Sequence, residues 1–362
     1  MSVSSRLGVR QRGRGAGRSR TVTMAAMAAV CVVVGTGLTA CGDDGSSDGS
    51  GGGEVTMLTH DSFELPETVY DTFKKETGIT LKVIKSGDAG ALASTISLTP
   101  GKPKADVVFG IDNTFASRPI ENGALEPYES PAAKDGADTY AVPDSKDELT
   151  AVTRGDVCLN LDDSWFEKHD VEPPKSFRDL TDPTYSNLSA LLDPGTSSPG
   201  MAFLLTTVNA DPRGWQEYWK KLVANKATIV SGWEIAYNQL FSAGEGRGQK
   251  PIVLSYASSP AATPGTSALL DSCFGQVEYV GVLKGAKNIA GARKVVDFML
   301  SQTVQRELPS SMYVYPVQKD TPLPDGWQDR APVPSWTVKI PPAVIAKNRE
   351  QWLQQWRDAV GR

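Results

Sequence analysis

Trp233, Tyr256 and Tyr313 each stand beside short polar residues at the end of an apolar segment. Ser231-Gly232 precede Trp233, Ala257-Ser258-Ser259-Pro260 follow Tyr256, and Tyr313 stands just ahead of Tyr315-Pro316. Asp61, Asp88 and Asp112 hold comparable places after other apolar segments. Aromatic faces, hydroxyls and carboxylates gathered in such loops suit a small-molecule binding site, and the residues alone leave its ligand open. Each residue also has an ordinary reading. An aromatic is more often core than ligand-facing, and Asp before a helix is a favoured N-cap. Covalent chemistry is poorly served. There is no nucleophile elbow, phosphate-binding glycine loop, Cys-x-x-Cys pair or His-Glu-x-x-His helix, and the two histidines, His60 and His169, are too few for a histidine-rich metal site.

Such residues need a frame that gathers strand ends. From Glu54 the pattern predicts strand Val55–Leu58, a helix from Pro66 through Lys75 stopped by Gly78, strand Ile79–Ile84 and helix Leu92–Leu98. Strand Ala105–Gly110, apolar enough for burial on both faces, and helix Thr114–Asn122 follow. This alternation predicts an α/β chain with a parallel, doubly wound sheet, in which ligands bind outside the carboxyl ends of the strands. The loops at His60–Phe63, Gly87-Asp88 and Asp112-Asn113 fall there. Leu149–Leu161 and Gln276–Leu283 read as strands crossing between two lobes. Leu188–Leu192, Thr228–Val230 and Ile252–Tyr256 are further strands. Met201–Val208, Trp215–Ala224, Glu234–Phe241, Ile289–Leu300, Thr303–Leu308 and Ala343–Val360 are helices.

Residues 1–40 read as a lipoprotein signal peptide. Six arginines and no acid precede the apolar run Val22–Leu38, which is too short and too broken for a bilayer span. Leu38-Thr39-Ala40-Cys41 then marks Cys41 for lipidation, and residues 41–53 form a Gly/Ser tether. The first 40 residues hold six of the 37 basic residues and none of the 42 acidic ones, so the remainder carries a net charge of −11. That excludes a nucleic-acid partner and favours a cationic ligand. Cys158 and Cys273 remain, either as a bridge, which an oxidising compartment favours, or as two buried thiols.

Six strings occur in register: Thr59-His60-Asp61-Ser62-Phe63; Lys104 through Asn113; Asp193-Pro194 with Thr196-Ser197-Ser198-Pro199-Gly200; Ser231-Gly232-Trp233 with Ala236-Tyr237; Val253-Leu254-Ser255-Tyr256 with Ser259-Pro260-Ala261; and Tyr315-Pro316-Val317. Together they resemble the thiamine-binding proteins of ABC importers, a branch of the type II periplasmic binding proteins, over nearly all of residues 54–362. The resemblance implies a two-lobed type II fold, each lobe a doubly wound sheet, joined by two crossing strands. Lobe 1 would comprise 54–150 with 276–315, lobe 2 would comprise 151–275, and 316–362 would be a helical segment packed on both. It implies ligand contacts from His60, Asp61, Asp88, Ala89, Ser197, Ser198, Trp233, Tyr256, Ala257, Ser258, Ser259 and Tyr313. No cofactor is expected.

The chain departs from the family pattern at several places. His60 replaces a tyrosine and Tyr313 a tryptophan, Ala262 stands where an aromatic can occur, and Gly195 where an arginine can occur. Loss of that arginine beside Ser197-Ser198 favours free thiamine over its mono- or diphosphate. The function implied is a lipid-anchored, monomeric receptor on the extracytoplasmic face that delivers thiamine or thiamine phosphate to a permease and its ATPase by lobe closure. The alternatives are a ferric-ion or small-anion receptor of the same fold and, more remotely, an exported hydrolase.

Overall fold

The computed structural model describes residues 53–143, 145 and 147–362; the signal peptide, Cys41 and the tether up to residue 52 lie outside the described residues. Ten strands form one sheet: β1 (Glu54–Thr59), β2 (Thr80–Lys85), β3 (Val107–Asp112), β4 (Leu125–Glu126), β5 (Thr150–Asp162), β6 (Ser189–Leu192), β7 (Thr228–Val230), β8 (Ile252–Tyr256), β9 (Thr266–Leu283) and β10 (Tyr315–Pro316). Their order is β2-β1-β3-β9-β5-β8-β6-β7, with β4 on β9 and β10 on β5. Two parallel groups, β2-β1-β3 and β8-β6-β7, flank an antiparallel central pair. The fold is mixed α/β of the two-lobed type.

The central pair makes the connection between halves. The C-terminal part of β9 lies between β3 and the start of β5. Its N-terminal part pairs with the end of β5, which in turn pairs with β8. Both strands therefore pass from one half to the other, with bulges at Ala151/Thr153 and Val157/Leu159. Beside the second bulge Cys158 and Cys273 form a disulfide with a Cα–Cα distance of 4.5 Å. The second crossing strand begins at Thr266, ten residues before the sequence pattern places it, because ladder bonds to Leu159–Asp162 hold a segment whose Ser and Asp residues do not read as strand.

Local sequence explains the helices that bear on the site. In α1 (Glu67–Thr77) Val69 and Phe73 share the buried face, and Gly78 ends the helix at φ 74° by donating to the Lys74 carbonyl. Helix α2 (Ala89–Ser97) starts three residues earlier than its apolar pattern suggests, since Asp88 caps it by accepting the Ala89 N–H. Helix α3 is only Ser117–Glu121; Pro119 supplies no N–H and is tolerated only in a first turn, so Thr114–Ala116 remain a turn. Helix α4 (Ser198–Ala210) is buried around its whole circumference through Val208, and α5 (Trp215–Ala224) covers it. Glu234–Leu240 is a π-helical turn, closed by the Phe241 N–H on the Ala236 carbonyl. Pro309 splits the expected Thr303–Leu308 helix into Gln302–Gln305 and Leu308–Met312. Helix α6 (Ile289–Met299) packs on β9, and α7 (Pro342–Val360) touches both α3 and α5. Among the described residues no helix is long and apolar enough to cross a membrane.

Candidate functional site

A cavity of about 490 Å³ opens where β1, β2, β7 and β8 end and the turn before β10 approaches them. Its wall includes His60 and Asp61 after β1, Lys85 at the end of β2, Trp233 and Glu234 after β7, Tyr256 at the end of β8, Glu278 within β9, and Tyr313. A larger groove of about 810 Å³, between Arg154, Asp156, Gln276 and the strap Val333–Pro342, contains none of the expected site residues.

His60 is seated from below by β3. Gly110 has φ 96°, and a Cβ there would lie 2.1 Å from the imidazole Cδ2, so only glycine lets the ring approach the strand. The ring packs at 5.8 Å from Phe109, its Nδ1 lies 3.0 Å from Ser62 Oγ, and its Nε2 lies 3.3 Å from Glu278 Oε1. Burial favours the neutral imidazole. The Glu278 carboxylate, helped by Asp88 and Asp61, outweighs burial and raises the His60 pKa above its ordinary value. Glu278 accepts a hydrogen bond from the Thr153 hydroxyl at 2.9 Å and stands opposite Asp112 in the β3–β9 register. Burial, together with the Glu278 charge and against the Thr114 hydrogen bonds, pushes Asp112 up to about 7.

The aromatic wall is built by neighbouring loops. Trp233 stacks on Tyr237 (4.7 Å, 11°) and meets Tyr313 edge-on at 6.2 Å. Its indole N–H donates to Ser255 Oγ at 2.9 Å, and Ser255 in turn bonds Ser259. Tyr313 adopts the left-handed conformation that ends the Leu308–Met312 helix, and its carbonyl accepts the Ser258 hydroxyl. Burial and the nearby Glu245 and Glu234 carboxylates raise the Tyr313 pKa. Tyr256 Oη accepts from Gln276 Nε2 at 3.2 Å. Five carboxylates line the cavity (Asp61, Glu64, Glu234, Glu245 and Glu278) against Lys85 and His60, and Lys85 is paired with Glu64 at 3.1 Å. The arrangement suits a flat, positively charged molecule.

Of the twelve expected ligand residues, His60, Asp61, Trp233, Tyr256 and Tyr313 line the cavity. The other seven stand behind its wall. Ala89 and Asp88 begin α2; Ser197 caps α4; Ser198 accepts from Gln276 Nε2. Ala257 packs against the disulfide, Ser258 holds the Tyr313 carbonyl, and Ser259 accepts the Tyr256 N–H at 3.2 Å. Asn238, Glu245, Glu234 and Glu278 were not read from the sequence. The signal for Glu278 was there: an acid between Val277 and Tyr279 in a strand otherwise suited to burial.

The family model described as "Bacterial extracellular solute-binding protein" matches residues 102–338. A thiamine-binding periplasmic protein of Brucella melitensis is 29% identical over 329 residues, covering 85% of this chain and 92% of the relative. The protein of that name from Escherichia coli is 27% identical, covering 85% and 94%. Among solved structures, a periplasmic thiamin binding protein superposes with a TM-score of 0.75 at 26% identity, covering 85% of this chain and 96% of that one. Iron-bound HitA from Pseudomonas aeruginosa shares the fold, with a TM-score of 0.67 at 21% identity. Matched by that model over more than half its length, the chain belongs to the bacterial extracellular solute-binding proteins.

Proposed function

We propose that this protein captures thiamine outside the cytoplasmic membrane and delivers it to the permease and ATPase of an ABC importer. The observation that carries the reading is the meeting of Trp233, Tyr256 and Tyr313 with Asp61, Glu234, Glu245 and Glu278 in one cavity. A thiazolium ring carries a permanent positive charge, which each desolvated aromatic face attracts by roughly 0.5–2 kcal/mol. The carboxylates add long-range attraction and raise the local concentration of a cation. A small anion meets the wrong sign of charge. The seryl hydroxyls of 197 and 198 are engaged inside the protein, so unesterified thiamine suits the cavity better than its phosphates. Lipid on Cys41 would keep the receptor beside its permease, and closure of the two lobes, with 54–150 plus 276–315 against 151–275, would retain the ligand.

Calorimetric titration of the purified protein with thiamine, thiamine monophosphate, thiamine diphosphate and ferric citrate tests this. Thiamine is expected to bind, and its phosphates more weakly. Absence of binding by every thiamine form, with heat from another solute, overturns the proposal.

A further inference from the structure

The two halves of the sheet touch directly beside the cavity. Asp88 ends the β2–α2 loop of one half, and Trp233 follows β7 in the other. Asp88 Oδ2 accepts the Trp233 backbone N–H at 2.9 Å, while Oδ1 accepts the Ala89 N–H at 2.6 Å. Just beyond, the N–H groups of Gly90 and Ala91 both reach the Thr196 carbonyl of the opposite half, at 2.9 and 3.2 Å. The Thr196 hydroxyl donates to the Ser231 carbonyl at 2.7 Å, two residues before Trp233. The first turn of α2 thus grips two loops of the other half, and those loops are tied to each other.

Side-chain size at the contact is restricted. A Cβ on Gly90 would lie 2.8 Å from the Gly195 carbonyl oxygen and 2.9 Å from the Thr196 carbonyl carbon. It would also lie 2.7 Å from Phe115 Cζ. Only glycine lets the helix start come this near. Every donor and acceptor across the contact belongs to the chain, so none of these bonds needs a ligand atom. The free N–H groups of a helix start favour a carbonyl or carboxylate partner, and here one of each is supplied.

We propose that Asp88, Gly90 and Thr196 form a clasp that closes the cleft through protein–protein bonds alone, and that Asp88 is the positioning residue that fixes Trp233 in the cavity wall as the clasp shuts. Separation of the halves must break the Asp88–Trp233 bond and both bonds to the Thr196 carbonyl together. Ligand escape then waits on clasp release, and the backbone of the ring that faces the ligand is set by a residue that does not line the cavity. Burial between the halves pushes the Asp88 carboxyl up, and the two N–H donors oppose that shift.

The test compares Asp88→Ala, Asp88→Asn and Gly90→Ala with the parent protein, using thermal melts to show that each is folded. Small-angle scattering without thiamine is expected to give a larger radius of gyration for Asp88→Ala and Gly90→Ala. Stopped-flow measurements are expected to show thiamine leaving these variants at least about tenfold faster, with association changed far less. Asp88→Asn, which keeps one acceptor for the Trp233 N–H but turns an NH2 towards the Ala89 N–H, should recover only part of the loss. The kinetic readout rests on the thiamine reading above, whereas the scattering readout does not. If the parent binds no thiamine, scattering alone decides. If Asp88→Ala fails to fold, Gly90→Ala decides. Folded variants with the parent's scattering and dissociation rate overturn the clasp.

Discussion

On the thiamine reading proposed above, protonated His60 and the cationic ligand would compete for the Glu278 carboxylate. With Glu278 at 3.3 Å and Asp88 and Asp61 nearby, His60 holds its proton above the pH at which a free histidine would lose it. Below that raised value the imidazolium neutralises Glu278; above it, Glu278 is open to the ligand. Thiamine affinity should therefore rise with pH through the His60 transition, and binding at a pH below it should release protons, visible as an enthalpy that varies with the buffer. Glu278→Gln should abolish both effects. The stability linkage has the opposite sign. The His60–Glu278 attraction is fully present below the unfolded histidine pKa of about 6.5 and fades as pH rises through the folded value. Denaturant titrations should show Glu278→Gln most destabilised on the acid side. Trp233→Ala should cost at least tenfold in thiamine affinity, about 1.4 kcal/mol, and calorimetry that finds parental affinity returns Trp233 to the core. Strand-end position made His60, Trp233 and Tyr256 legible from sequence. Short hydroxyls were not: a serine side chain serves a ligand contact, a helix cap or an internal hydrogen bond alike, and in the fold Ser197 caps α4 while Ser198 accepts from Gln276.

Among the elements, the crossing pair β5–β9 carries the connection between the halves. The disulfide beside its bulge closes a loop with a sequence separation of 115. Replacing both cysteines by alanine should lower unfolding free energy by about 2–5 kcal/mol, measured by denaturant titration of an otherwise unchanged protein. A negligible change would mean that the ladder alone fixes the crossing. The parallel groups were legible because their strands are short, apolar and separated by capped helices, as at Asp88 and Gly78. The sheet's continuity was not. Alternation along one segment says nothing about which distant strand it meets, and β3 finds β9 some 170 residues later in the chain. The first part of β9 was hidden for a related reason: Thr266–Asp271 is partly exposed, mixed in polarity and held by partners rather than by burial.

At the scale of the whole molecule, α7 packs against elements of both halves. Arg349 reaches the Thr114 carbonyl at 3.3 Å, next to α3. Trp356, fully buried, meets Trp219 of α5 edge-on at 5.8 Å. Arg362 pairs with Asp193 at 2.9 Å. Trp356→Ala should lower stability by about 3–5 kcal/mol, the range for emptying a buried aromatic site. Calorimetric melting checks it, and a loss under about 1 kcal/mol would show that the helix is not a shared support. Motion of the halves is thereby constrained at α7, at β5–β9 and at the first turn of α2. The disulfide has one more consequence. Residues 159–272, which include all of β6, β7 and β8, lie inside a covalent ring closed by Cys158 and Cys273. A single peptide-bond cut within that ring opens it without shedding a piece, so a nicked second half stays joined to the rest of the receptor.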